Sequence, residues 1–184
     1  MYPDRHLIPS WWRPVLKPFY LALFLGMLCA WPVSAQNVLK SKNISGWDVT
    51  KIETPRDGLS CQAFKCNTRN CNGPSAEAFV RLWGSNRRQA ITPMIGMQQA
   101  AAGAGKATVA VAGRSFPLEQ AKRSKGKLYI ARRASDDAKI MKLIATNPDG
   151  TITFASNKGS AVFRLKGVGR VLAFFQKECA IPLP

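Results

Sequence analysis

The 184-residue chain carries 27 Lys and Arg against 10 Asp and Glu, a formal charge of +17, and a single histidine, His6. That balance points toward anionic partners. With its only histidine at the extreme N-terminus, the rest of the chain has none for a Ser-His-Asp triad, a Cys-His dyad or a histidine metal site.

The first 35 residues read as a signal peptide. Arg5, Arg13 and Lys17 form a positive leader, Phe19–Ala30 is an apolar run, and Pro32-Val33-Ser34-Ala35 offers small side chains before a cut after Ala35. An uncleaved anchor is the alternative, but the run falls short of the roughly 20 residues that span a bilayer. The expected location is periplasmic or secreted. The expected organisation is a signal peptide over 1–35, a flexible polar lead-in over 36–45 and a single globular domain over 46–184.

Beyond the leader lie four cysteines: Cys61, Cys66, Cys71 and Cys179. An even number in an exported chain favours disulfides. A zinc site would want closer pairs such as C-x2-C, where this chain has C-x4-C-x4-C and one distant cysteine. Three connectivities are possible. The reading preferred here is Cys66–Cys71 as a local clip, leaving Cys61–Cys179 to join the two ends of the domain.

Gly46–Ile52 alternates, Trp47 and Val49 facing one way, Asp48 and Thr50 the other, and period two argues for a strand. Thr54–Gly58 is turn chemistry, and Leu59–Cys66 reads as a second strand. In Ala78–Trp83, Phe79, Arg81 and Trp83 share one side, Ala78, Val80 and Leu82 the other. Ile91–Gly105 reads as a short helix fading into a glycine-rich loop. Lys106–Ala112 is a strand candidate, and Lys127–Arg132 another, with Leu128 and Ile130 inward.

Ser135 is placed to cap a helix whose first turn holds Asp136 and Asp137 and whose apolar stripe is Ile140, Met141 and Ile144. Asn147-Pro148 ends it. Thr151–Ala155 and Ser160–Lys166 form a hairpin, with Ile152 and Phe154 facing Phe163 and Leu165. In the last segment Val168, Val171, Leu172, Phe175 and Cys179 fall on one helical stripe. The resulting fold class is α+β, mainly β: an antiparallel sheet or sandwich of about six to eight strands with two short helices, held by disulfides.

No catalytic motif survives, and nothing calls for a metal or cofactor. Gly103-Ala-Gly-Lys-Ala-Thr108 lacks the first glycine and the Ser/Thr of a phosphate-binding loop. Asp136 and Asp137 have a sufficient role at a helix start. The strongest remaining signal is the basic cluster Lys122, Arg123, Lys125, Lys127, Arg132 and Arg133. It is either a solvated face or a surface for an anionic envelope component: lipopolysaccharide phosphates, phospholipid headgroups or an acidic glycan. The cluster offers only Tyr129 for base stacking, which weighs against nucleic acid.

An export signal, a Gly46-Trp-Asp-Val49 strand, a nearby cysteine-bearing strand around Cys61, and Phe163-Arg-Leu-Lys-Gly167 followed by a helix ending in Cys179 together resemble the invasion-associated locus B family. The matching stretches cover about a fifth of the chain beyond the leader. The resemblance implies a bacterial periplasmic or envelope protein of mainly β structure, with no established enzymatic activity and with a role in host-cell interaction. The expectation is therefore a non-enzymatic exported protein that binds an anionic partner, with peripheral membrane association among the options. The alternative is an accessory or structural protein acting through an envelope protein partner. An exported hydrolase ranks third.

Overall fold

The computed structural model describes residues 37–67, 78–97, 106–121, 128–157 and 159–184. Among the described residues, ten strands form one sheet in the order β1-β2-β3-β4-β5-β8-β7-β6-β9-β10, every neighbouring pair antiparallel. The strands are β1 (Asn37–Ile44), β2 (Trp47–Thr54), β3 (Gly58–Cys66), β4 (Ala78–Ser85), β5 (Ala90–Met97), β6 (Ala107–Val111), β7 (Arg114–Gln120), β8 (Leu128–Ala131), β9 (Thr151–Ser156) and β10 (Gly159–Arg164). Two helices, α1 (Ala134–Thr146) and α2 (Val168–Cys179), complete it. The sheet curls: β10 approaches β4, six places away in the order. Helix α1 packs on β5, β6 and β8, helix α2 on β2 and β3, and the helices touch each other.

The mainly β, antiparallel, two-helix architecture matches the sequence reading, but the sheet has ten strands rather than six to eight. Two of the differences have clear physical causes. Residues 37–44, expected as a flexible lead-in, form β1. All but Ile44 of this strand is exposed, so it needs no hydrophobic alternation; backbone pairing with β2 holds it. The segment expected as a short helix after Ile91 contains β5. Pro93 hides that strand from a sequence reading. It is tolerated because β5 pairs with β8 only at Ile95 and Gly96, leaving Pro93 with a ladder partner on one side alone.

Three smaller expectations change. In β8 the inward residues are Tyr129 and Ala131, not Leu128 and Ile130. Tyr129 lies opposite Ile95, packs its ring 5.3 Å from that of Phe154, and accepts a hydrogen bond from Gln120 Nε2 at 3.3 Å, so its polar tip is satisfied inside. Helix α1 begins at Ala134 with Arg133 as N-cap and no side-chain cap bond; Ser135 sits inside the first turn, where Asp136 and Asp137 supply the negative charge. In the last hairpin Ile152 faces Phe163 as expected, whereas Phe154 lies opposite Ala161, and Leu165 is buried just beyond the strand.

The core follows from the alternation. Trp47 and Val49 of β2, Ala63 of β3, Val80 and Leu82 of β4 and Ile95 of β5 are buried on the face that receives the helices. The α2 stripe fills it: Val168, Val171, Leu172, Phe175 and Cys179 are all buried. Cys179 is bonded to Cys61 of β3. Cys66 is disulfide-bonded as well, and the expected Cys66–Cys71 pairing lies outside the described residues. Bonded thiols are not thiolate ligands, so the zinc alternative falls for Cys61, Cys66 and Cys179.

Candidate anion-binding site

The site is built around the turn between β1 and β2. Ile44 and Trp47 are paired, which leaves a two-residue turn, and Ser45 and Gly46 both take positive φ (53° and 80°). That is the turn geometry whose twist matches a hairpin. Asn43 holds it from both sides: its Oδ1 accepts from the Gly46 N–H at 3.2 Å and its Nδ2 donates to Asp48 Oδ1 at 2.8 Å. Across the turn, Gly167 precedes α2 with φ 89°, and a Cβ there would lie 2.5 Å from the Ser45 Cβ. Glycine lets the helix start press against the turn.

Two clefts open on either side of Ser45. One, of about 500 Å³, is lined by Lys65, Arg164 and Lys166, with Asn67, Cys66 and Gly46. The other, of about 350 Å³, is lined by Lys40, Lys42, Arg170 and Lys177, with Glu178 as its only carboxylate. The Lys65 side chain is fixed in place. Its Nζ donates to the carbonyls of Ser45 (3.2 Å) and Lys166 (3.3 Å) and lies 5.3 Å from the Trp47 ring centre. Trp47, fully buried, donates from Nε1 to that same Lys166 carbonyl at 3.2 Å. Burial, reinforced by the charge of Lys166, holds the Lys65 ammonium below its ordinary pKa. Arg170 donates to Ser45 Oγ, and Lys40 bonds Glu178, whose carboxyl is held below its usual range first by that hydrogen bond.

Of the residues expected to bind anions, only Arg132 and Arg133 fall among the described residues. Lys122, Arg123, Lys125 and Lys127 lie outside the described residues. Arg132 and Arg133 are exposed at the start of α1, and neither lines either cleft. Tyr129 is fully buried and offers no stacking face. The cleft cations were missed as a set because their positions run from Lys40 to Lys177 and form no local cluster. A partial signal existed in Arg164, Lys166 and Arg170, which surround the conspicuous Gly167.

A second aromatic and cationic surface lies on the face of β3 and β4 that turns away from the helices. The Arg81 guanidinium sits 5.1 Å from the Phe64 ring centre and bonds Gln62 at 2.8 Å, and Arg88 sits 4.9 Å from the Trp83 ring centre. Those rings are half-buried and already covered by the protein's own cations, which makes this a self-satisfied sheet face.

Comparison with family models, with curated proteins and with solved structures finds no match.

Proposed function

We propose that this is an exported, non-enzymatic envelope protein that binds an anionic partner through the cationic clefts flanking Ser45. One observation carries the reading: seven Lys and Arg side chains line two adjoining clefts that contain a single carboxylate. A solvated basic face needs no concavity and no desolvated lysine. Here Lys65 is held between two carbonyls, and among the described residues no carboxylate lies within ion-pairing distance of Lys65, Arg164 or Lys166. An incoming anion would supply the missing counter-charge. Candidate ligands are lipopolysaccharide phosphates, phospholipid headgroups and acidic glycans. The resemblance to invasion-associated locus B proteins agrees with an envelope location and a role in host-cell interaction.

The test is retention on immobilised heparin and on lipopolysaccharide across a salt gradient. Arg164→Glu/Lys166→Glu should elute at clearly lower salt, because reversing two cleft cations removes long-range attraction as well as direct contacts. The same elution as the parent chain would sink the reading. Action through a protein partner instead would show as salt-insensitive capture of one envelope protein, unaffected by those reversals.

A further inference from the structure

We propose that the Lys65 cleft seats the phosphate of anionic lipid headgroups, so that this end of the molecule docks on an anionic bilayer surface. The proposal rests on the anionic reading above and commits it to one partner. Lys65, Arg164 and Lys166 supply N–H donors around one concavity with Asn67 beside them. Phosphate oxygens accept from such groups, and negative charge would offset the repulsion between Lys65 and Lys166.

The argument for a bilayer comes from the cleft's rim. Val162 lines the same cleft and is 55% exposed, two residues before Arg164 on β10. Among the described residues only four large hydrophobic side chains are exposed: Val38, Leu39, Val162 and Leu183. Three of them lie on β1 and β10, the two edge strands of the sheet, and Val38 and Leu39 immediately precede Lys40 of the neighbouring cleft. An acidic glycan or nucleic acid gives exposed aliphatic groups far less apolar surface to bury against than the acyl region of a bilayer does. A membrane interface places aliphatic groups at the acyl boundary while cations meet the headgroups.

The experiment is co-sedimentation of the full chain with vesicles of phosphatidylcholine alone and of phosphatidylcholine mixed with phosphatidylglycerol. The phosphatidylcholine arm measures any contribution of the apolar stretch Phe19–Ala30; because Arg5, Arg13 and Lys17 of the leader also respond to phosphatidylglycerol, the share of the cleft is read from the Arg164→Glu/Lys166→Glu variant. We expect binding to rise with phosphatidylglycerol, to fall at least about tenfold in Arg164→Glu/Lys166→Glu, and to fall about threefold in Val162→Ser. These positions are exposed, so the variants should fold. Soluble glycerol phosphate should not displace the protein from vesicles. Equal binding to both vesicle types, or vesicle binding indifferent to Val162→Ser, overturns bilayer docking. If heparin retention still depends on Arg164 and Lys166 in that case, the anionic reading stands and the partner is a soluble or glycan anion. If heparin retention is indifferent too, both fall.

Discussion

Cys179, the last residue of α2, is bonded to Cys61 in the middle of β3, 118 residues away. The bond is reinforced beside it: Lys51 lies opposite Cys61 in the ladder and pairs with Glu178 at 3.7 Å, next to Cys179. Closing a loop of that length restricts the unfolded chain by about 4–5 kcal/mol on the chain-entropy account, before native strain and residual denatured structure reduce it. Cys61→Ala/Cys179→Ala should therefore lose about 2–5 kcal/mol in urea unfolding. Glu178→Gln should change stability far less, because its partners are solvent-screened. A double-alanine variant as stable as the parent would show that the packing of α2 alone holds this end of the fold.

Phe79 lies opposite Gly96 with its ring over the glycine; a Cβ at position 96 would stand 1.9 Å from Phe79 Cζ. Gly96→Ala should cost about 1–3 kcal/mol, since the ring must leave its place on the sheet. In a Phe79→Ala background the same change should cost little, and a double-mutant cycle reads that coupling directly. Additive effects would mean that the ring moves aside freely.

How much of this was legible in the sequence depended on whether the signal was local. Trp47 and Val49, the two-sided pattern of Ala78–Trp83, and the α2 stripe ending in Cys179 each state their burial within a few residues, and the fold uses them as read. Strand β1 was not legible, because an exposed edge strand is fixed by backbone pairing and carries no hydrophobic period. Strand β5 was masked by Pro93, whose tolerance depends on where β8 begins to pair. The clefts were the least legible part. Lys65 and Lys166 are 101 residues apart, and only the meeting of the β1–β2 turn with the start of α2 places them around one concavity. A dense run such as Lys122–Lys127 draws attention in a sequence for the opposite reason: its charges are adjacent before any folding occurs.

Asp137 carries a pH dependence that is independent of the anion site. Its carboxyl is pushed up from 3.8 to about 6, first by burial and then by the charge of Asp136, and its Oδ1 is buried with no hydrogen-bond partner. A folded-state pKa above the unfolded value means that the folded chain binds more protons between those two values. Stability contributed by this group is therefore fully present below about pH 3.8 and is lost as pH rises through about 6. Asp137→Asn should flatten this part of the profile, so that variant and parent differ most above pH 6. Thermal unfolding followed from pH 4 to 7 checks it. A parent profile unchanged by the substitution would mean that the carboxylate finds solvent in the folded state.

The contact that shapes the site can be tested without touching a charge. Gly167 has a φ of 89° and faces Ser45, so an alanine there is strained by its backbone and crowded by a Cβ 2.5 Å away. The neighbouring backbone cannot absorb this easily, because the Lys166 carbonyl accepts from both Trp47 Nε1 and Lys65 Nζ. Gly167→Ala should cost about 1–3 kcal/mol. It should also push the start of α2 away from the turn, separating Arg170 from Ser45 and loosening the carbonyl pair that holds Lys65. Urea unfolding reads the first effect. The second should appear as a lower eluting salt on heparin from a protein whose net charge is unaltered. Elution at the parental salt from a destabilised variant would separate the two, showing that the clefts bind through charge density alone and do not depend on the position of Lys65.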